Sequence, residues 1–197
     1  MIIYGFSQQA GGGDMFHDGL FHVIPSVRDI RYLNQALKIK EEWLLLSNIH
    51  IGNLKSVTDF CHKAGKKVMV NHELVGGLGA DRTACQMLKN YYHVDAVMGS
   101  SNRKLAMMSK EGLPTVRRIA LIDSLAVDQV FNTLGDTHCN MIELRPAFYA
   151  IRTLERFQKE HPGCYVAAGF IDSEEMLENV RKAGFSGAMT SCVSLWH

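Results

Sequence analysis

The sequence predicts an α/β fold of the TIM-barrel-like (β/α)8 kind, small and built as one domain over residues 1–197. Three observations carry this expectation. Eight short runs are almost continuously apolar, as parallel strands buried on both faces require. Helical patterns separate the runs in strict alternation, which leaves an open doubly wound sheet or a closed barrel. The count of eight selects the barrel, although typical barrels run to about 250 residues and this chain has 197. Short loops, and an irregular strand or a missing outer helix, should follow from so short a chain.

Residues 1–20 precede the rhythm. Gly11-Gly12-Gly13-Asp14 is flexible in composition and 15–20 reads as an approach segment, so 1–20 is expected to be loosely ordered. The strand runs are then FHVIP (21–25), WLLLS (43–47), KVMVN (67–71), AVMGS (96–100), TVRRIALI (115–122), MIEL (141–144), CYVAA (164–168) and GAMTS (187–191). The stretch 53–65 reads as a helix with Asn53 as cap, Leu54, Val57 and Cys61 inward, and Gly65 as stop. The stretch 172–184 repeats the scheme with Asp172 as cap and Glu174 and Glu175 at the positive end of the helix dipole. Its Met176, Leu177, Val180 and Ala183 share a face, Arg181 and Lys182 fill the last turn, and Gly184 ends it. Lys-Ala-Gly at 63–65 and 182–184 and Lys-Glu-Gly at 110–112 predict quasi-equivalent helix-to-strand turns. Pro25 and Pro146 are placed after strands, Pro114 and Pro162 before them, and none within a helix.

Composition narrows the class of function. Hydrophobic content of 47% and charged content of 21% are those of an ordinary globular protein. The formal net charge of +1 gives no bulk attraction to nucleic acid or to a membrane, so an anionic partner must be held by a local patch. The five cysteines are odd in number and none is spaced C-x-x-C, which points to free thiols in a reducing cytoplasm. With no basic leader ahead of an apolar run and no membrane-length apolar segment, a cytoplasmic location is expected.

In barrels of this kind ligands bind at the C-terminal strand ends, and phosphates often sit on the loops after strands seven and eight. Ala168-Gly169 and Thr190-Ser191 fall there. Their small side chains suit either tight turns or a phosphate seat, where glycine lets the backbone approach an anion and the hydroxyls donate to it. Arg28, His50, Asn71-His72-Glu73, Arg117, Arg118, Asp123, Glu143 and Arg145 also lie on strands or at their ends. Buried, such groups must be paired, and Arg118 has Asp123 or Glu143 available. His62, His93 and His138 read as surface histidines. His72 and Glu73 suit acid–base chemistry but, as strand neighbours, should face opposite ways. Neither a nucleophile–base arrangement nor a set of metal ligands is readable. Lys63, Lys66 and Lys67 form a modest basic cluster, either a solvated helix end or a weak RNA-contact candidate, and no RRM or KH signature is present.

Seven segments together carry a family resemblance: VIPSVRDI (23–30), NIHIGNLK (48–55), AGKKVMVNHELVGGL (64–78), GSSNRKLAMMSKEGL (99–113), TVRRIALIDSLA (115–126), NMIELRPA (140–147) and AAGFIDSEEMLENVRKAGFSGAMTSCVSLW (167–196). In order and near-spacing they resemble the glycerol uptake operon antiterminator regulatory proteins, which respond to glycerol 3-phosphate. The resemblance spans Val23 to Trp196. It implies a barrel without catalysis or cofactor that binds glycerol 3-phosphate as effector and then leader mRNA, with no membrane partner and room for a homo-oligomer. Matching positions are Arg28, His50, Leu54, Gly77, Arg118, Asp123, Glu143, Pro146, Gly169, Thr190, Ser191, Leu195 and Trp196. The resemblance implies that Ala168, Gly169, Thr190 and Ser191 seat the phosphate and that Arg118, Asp123 and Glu143 line the same mouth. The sequence departs from the family at three corners: Ala168-Gly169 stands for two glycines, Asn71-His72-Glu73-Leu74 for His-x-Asp-Leu, and Leu144-Arg145-Pro146-Ala147 for Leu-Pro-Gly.

Two other functions fit the same residues. A small barrel enzyme acting on a phosphorylated metabolite would draw on His72, Glu73, Asp123 or Glu143 converging on one point. A sensor that has kept the ligand site and lost RNA would contact a protein instead, as the near-neutral charge permits.

Overall fold

The computed structural model describes residues 15, 16, 18–135 and 138–197. All eight strands form: β1 (His22–Val27), β2 (Trp43–Leu46), β3 (Lys67–Asn71), β4 (Ala96–Gly99), β5 (Thr115–Ala120), β6 (Met141–Arg145), β7 (Tyr165–Ala168) and β8 (Gly187–Thr190). They close in chain order into an all-parallel barrel. The helices are α1 (Leu33–Ala36), α2 (Ile51–Lys63), α3 (Arg82–Asn90), α4 (Asn102–Lys110), α5 (Ser124–Leu134), α6 (Ala147–Glu160) and α7 (Glu174–Lys182). The short chain shows at one place. After β1 the outer layer is only a 3-10 turn and the four-residue α1, and after β8 only the 3-10 turn Val193–Leu195.

Period-two alternation divides each strand between two cores. Inward lie Ile24, Leu45, Met69, Met98, Val116, Met141, Val166, Ala168 and Met189, a lumen cluster rich in methionine. Outward residues such as Leu44, Val70, Ile119, Leu144 and Ala188 pack beneath the helices. Each methionine buried in the lumen contributes roughly 1.5–3 kcal/mol. Met15 and Phe16 belong to the same cluster, and the Phe16 ring lies 4.3 Å from His22 and 6.2 Å from Trp43. These two residues are thus buried beneath the barrel; residues 1–14 and 17 of the expected approach segment lie outside the described residues.

The helix-to-strand turns form as predicted. Gly65, Gly112 and Gly184 take φ of 74°, 80° and 93°, the left-handed region that a side chain would strain. Three local expectations are corrected. The cap of α7 is Ser173, whose hydroxyl accepts from the Met176 amide at 3.2 Å, and not Asp172. The α2 helix begins after His50, and Asn53 sits one turn in, its side chain accepting from the His50 amide at 3.1 Å. Pro25 lies inside β1, because the strand continues to Val27.

Candidate functional site

Toward the C-terminal ends of the strands the lumen changes from apolar to polar. The inward positions above the methionine layer are Ser26, Ser47, Asn71, Arg118, Glu143, Arg145 and Ala168. The Ser26 and Ser47 hydroxyls share a hydrogen bond of 2.5 Å. Arg118 and Glu143 are register partners on β5 and β6, and Arg118 Nε donates to Glu143 Oε2 at 2.5 Å. The Glu143 side chain is 1% exposed and that of Arg118 16%, so the pair is desolvated and mutually dependent. Of the two partners open to Arg118, the structure selects Glu143. Asp123 instead caps α5, accepting from the Ala126 amide at 2.7 Å.

The proposed phosphate corners lie on adjacent strands, since β7 and β8 pair directly. Gly169 has φ of 77°, and its carbonyl accepts from the Ala147 amide at 3.1 Å, which ties the β7 corner to the start of α6. Ser191 is exposed, and its hydroxyl has no partner among the described residues. Ala168 is buried and belongs to the lumen cluster, so its methyl faces the barrel interior. Thr190 is placed differently from the expectation. Alternation turns it outward, where its buried hydroxyl donates to the Ile171 carbonyl at 2.5 Å and accepts from the Cys192 amide at 3.0 Å. Its hydroxyl is engaged within the corner itself.

Arg145, a polar strand-end residue in the sequence but not among the expected phosphate-site residues, joins this set. Its guanidinium Nη2 and Nε lie 3.5 and 3.6 Å from where a Cβ on Gly169 would stand. The signal was available in the alternation of β6: Met141, Glu143 and Arg145 face one way, Ile142 and Leu144 the other. Arg117, by the same count, faces outward and reaches the Thr133 hydroxyl at 3.1 Å.

The four acid–base candidates do not converge on one point: Glu143 and Asp123 are engaged elsewhere, and only His72 and Glu73 approach each other. Glu73 accepts from both the amide and the hydroxyl of Ser100, at 3.0 and 2.8 Å, and although burial works to raise its pKa these bonds hold it below the usual value. His72 is buried against Gly99, and its Nε2 has no hydrogen-bond partner among the described residues. That nitrogen lies 3.9 Å from Glu73 Oε1, so the two side chains approach one another rather than facing opposite ways, because both follow the end of β3. Burial pushes the His72 pKa below 6.5, with the Glu73 charge opposing. The unfolded chain therefore takes up this proton first as pH falls. The stability that neutral His72 contributes above pH 6.5 is lost as pH drops through that value toward the folded pKa. We expect the wild-type melting temperature to fall more steeply between about pH 7.5 and 5 than that of His72→Leu, which deletes an unpartnered polar group. Parallel curves would show that His72 does not carry this dependence.

The three lysines lie at the opposite end of the barrel. Lys66 is buried, and its ammonium donates to the Ile39 and Glu41 carbonyls at 2.5 and 2.6 Å, so it cannot reach an RNA phosphate. Lys67 pairs with Glu42 at 3.0 Å, and Lys63 ends α2. A cavity of about 890 Å³ opens at this end, but its wall charges are largely spent on each other, as in His22 between Asp18 at 3.0 Å and Glu41 at 2.9 Å. The polar mouth at the other end carries the unspent groups.

Residues 23–196 match the sequence model of the glycerol-3-phosphate responsive antiterminators. The chain belongs to this family. Among solved structures, this antiterminator-family barrel superposes on the glycerol uptake operon antiterminator regulatory protein of Listeria monocytogenes with a TM-score of 0.82, at 23% identity over 88% of this chain and 94% of that one. An antiterminator-related protein of Thermotoga maritima gives a TM-score of 0.79 at 24% identity, over 90% and 98% of the two chains. The deoxyribose phosphate aldolase of Aeropyrum pernix shares the barrel alone, with a TM-score of 0.68 at 12% identity over 92% and 88%. None of the curated proteins compared with it matches the chain. Among the described residues no helix is long and apolar enough to cross a membrane.

Proposed function

We propose that this protein is a ligand-responsive transcription antiterminator that binds glycerol 3-phosphate in the barrel mouth and, once loaded, leader mRNA. Membership of the antiterminator family supports the regulatory role. The observation that carries the ligand is the pairing of two bare corners, left-handed Gly169 and exposed Ser191, on neighbouring strands above a polar lumen. The phosphate sits on these corners, and the Arg118–Glu143 pair and the Ser26 and Ser47 hydroxyls below are chemically suited to a short polyol. The enzyme reading is the weaker one, because Glu143, Glu73 and Asp123 are each engaged separately, by Arg118, Ser100 and the start of α5.

Thermal unfolding with and without glycerol 3-phosphate tests the ligand half. Ligand at 100 times its Kd stabilises the folded state by about 2.7 kcal/mol, and Ser191→Asp, which sets a carboxylate against the phosphate, removes most of the shift. A flat response at millimolar ligand sinks it. For the RNA half, a gel shift with leader mRNA should depend on ligand and weaken with salt. Equal retention of unrelated RNA would argue against a specific role and favour a protein partner.

A further inference from the structure

We propose that Arg145 is the charged anchor of the ligand's phosphoryl group, a role that rests on reading the mouth as the glycerol 3-phosphate site. Arg145 is the last residue of β6 and shares its inward face with Glu143. Its guanidinium lies across Gly169, 3.5 and 3.6 Å from the absent Cβ, so an anion seated on that bare backbone meets the guanidinium at contact distance. The other arginines on the strands are committed: Arg118 to the Glu143 carboxylate and Arg117 to Thr133. The Arg145 guanidinium has neither a hydrogen bond nor an ion pair among the described residues, although the residue is only partly exposed. A cation held half out of water without a counter-charge is unfavourable, and a bound dianion relieves that cost.

The fork of a guanidinium matches two phosphate oxygens, which a lysine cannot reproduce. The neighbouring residue explains why a side chain is needed here. Ala168 puts an inward methyl beside Gly169, which narrows the approach to the backbone at this corner, and a charge from across the β6–β7 seam compensates. Arg145 thus selects phosphomonoester dianions over uncharged polyols, while the Arg118–Glu143 pair remains neutral beneath.

Calorimetric titration of the full chain with glycerol 3-phosphate, glycerol and inorganic phosphate tests this in wild type, Arg145→Gln and Arg145→Lys. Arg145→Gln should bind glycerol 3-phosphate on the order of 10- to 100-fold more weakly, Arg145→Lys should recover only part of the loss, and glycerol should bind none of the three detectably. The salt dependence of binding should flatten in Arg145→Gln, and unliganded melting should be unchanged in Arg145→Lys and unchanged or slightly raised in Arg145→Gln, which removes an uncompensated charge and loses no partner. A wild type that binds glycerol 3-phosphate with Arg145→Gln equally tight overturns this role and leaves the proposed function standing. A wild type that does not bind it overturns both.

Discussion

Replacing Glu143 with alanine is expected to destabilise the protein by about 3–5 kcal/mol, the cost of breaking a buried ion pair from one side. Glu143 is 1% exposed, and its carboxylate is the acceptor for Arg118, itself 16% exposed. Without it a guanidinium stays inside the barrel mouth with no counter-charge. In denaturant titration the midpoint should fall with an unchanged slope, because the folded barrel exposes no new surface. The double variant Arg118→Met, Glu143→Leu separates fold from function. It removes both charges, so most of the lost stability should return. If the pair contacts the polyol, glycerol 3-phosphate binding should remain lost in the restored protein. A double variant that is stable and still binds would make the pair purely structural.

Gly187→Val is expected to cost about 3 kcal/mol, the upper end of overpacking effects. Gly187 is the first residue of β8 and the register partner of His22 on β1, where the barrel closes. A Cβ there would stand 2.6 Å from the His22 carbonyl oxygen, which is backbone and cannot rotate away. The outer layer is thinnest at this seam, where only α1 and two 3-10 turns follow the two strands, so little packing compensates for a displaced strand. Gly135→Ala is the control: nothing lies within 4 Å of its Cβ position, and it should leave melting unchanged or slightly raised. Equal losses in the two variants would refute the steric account.

The strands were legible because each is buried on both faces, which writes itself as a continuous apolar run, and the turns because a left-handed corner admits little besides glycine. The caps were less so. Asp172 and Ser173 are both good cap residues in adjacent positions, and only the start of the helix decides between them. Within the site, alternation alone would have separated Ser191 from Thr190 and brought in Arg145, once Met189 and Met141 were taken as inward. Lys66 could not be read in this way. Its partners are the Ile39 and Glu41 carbonyls, and no pattern in a sequence marks a backbone oxygen as an acceptor.

The closure of the eight strands has a further consequence for how a macromolecule is recognised. Every strand is flanked on both sides, so the sheet offers no free edge to which a peptide or a second copy could add a strand. Among the described residues, recruitment runs through side chains on loops and outer helices rather than through strand addition. With glycerol 3-phosphate in the mouth as proposed, a partner would sense it through the corners beside it, and the loop after β7 carries both Gly169 and the exposed Phe170.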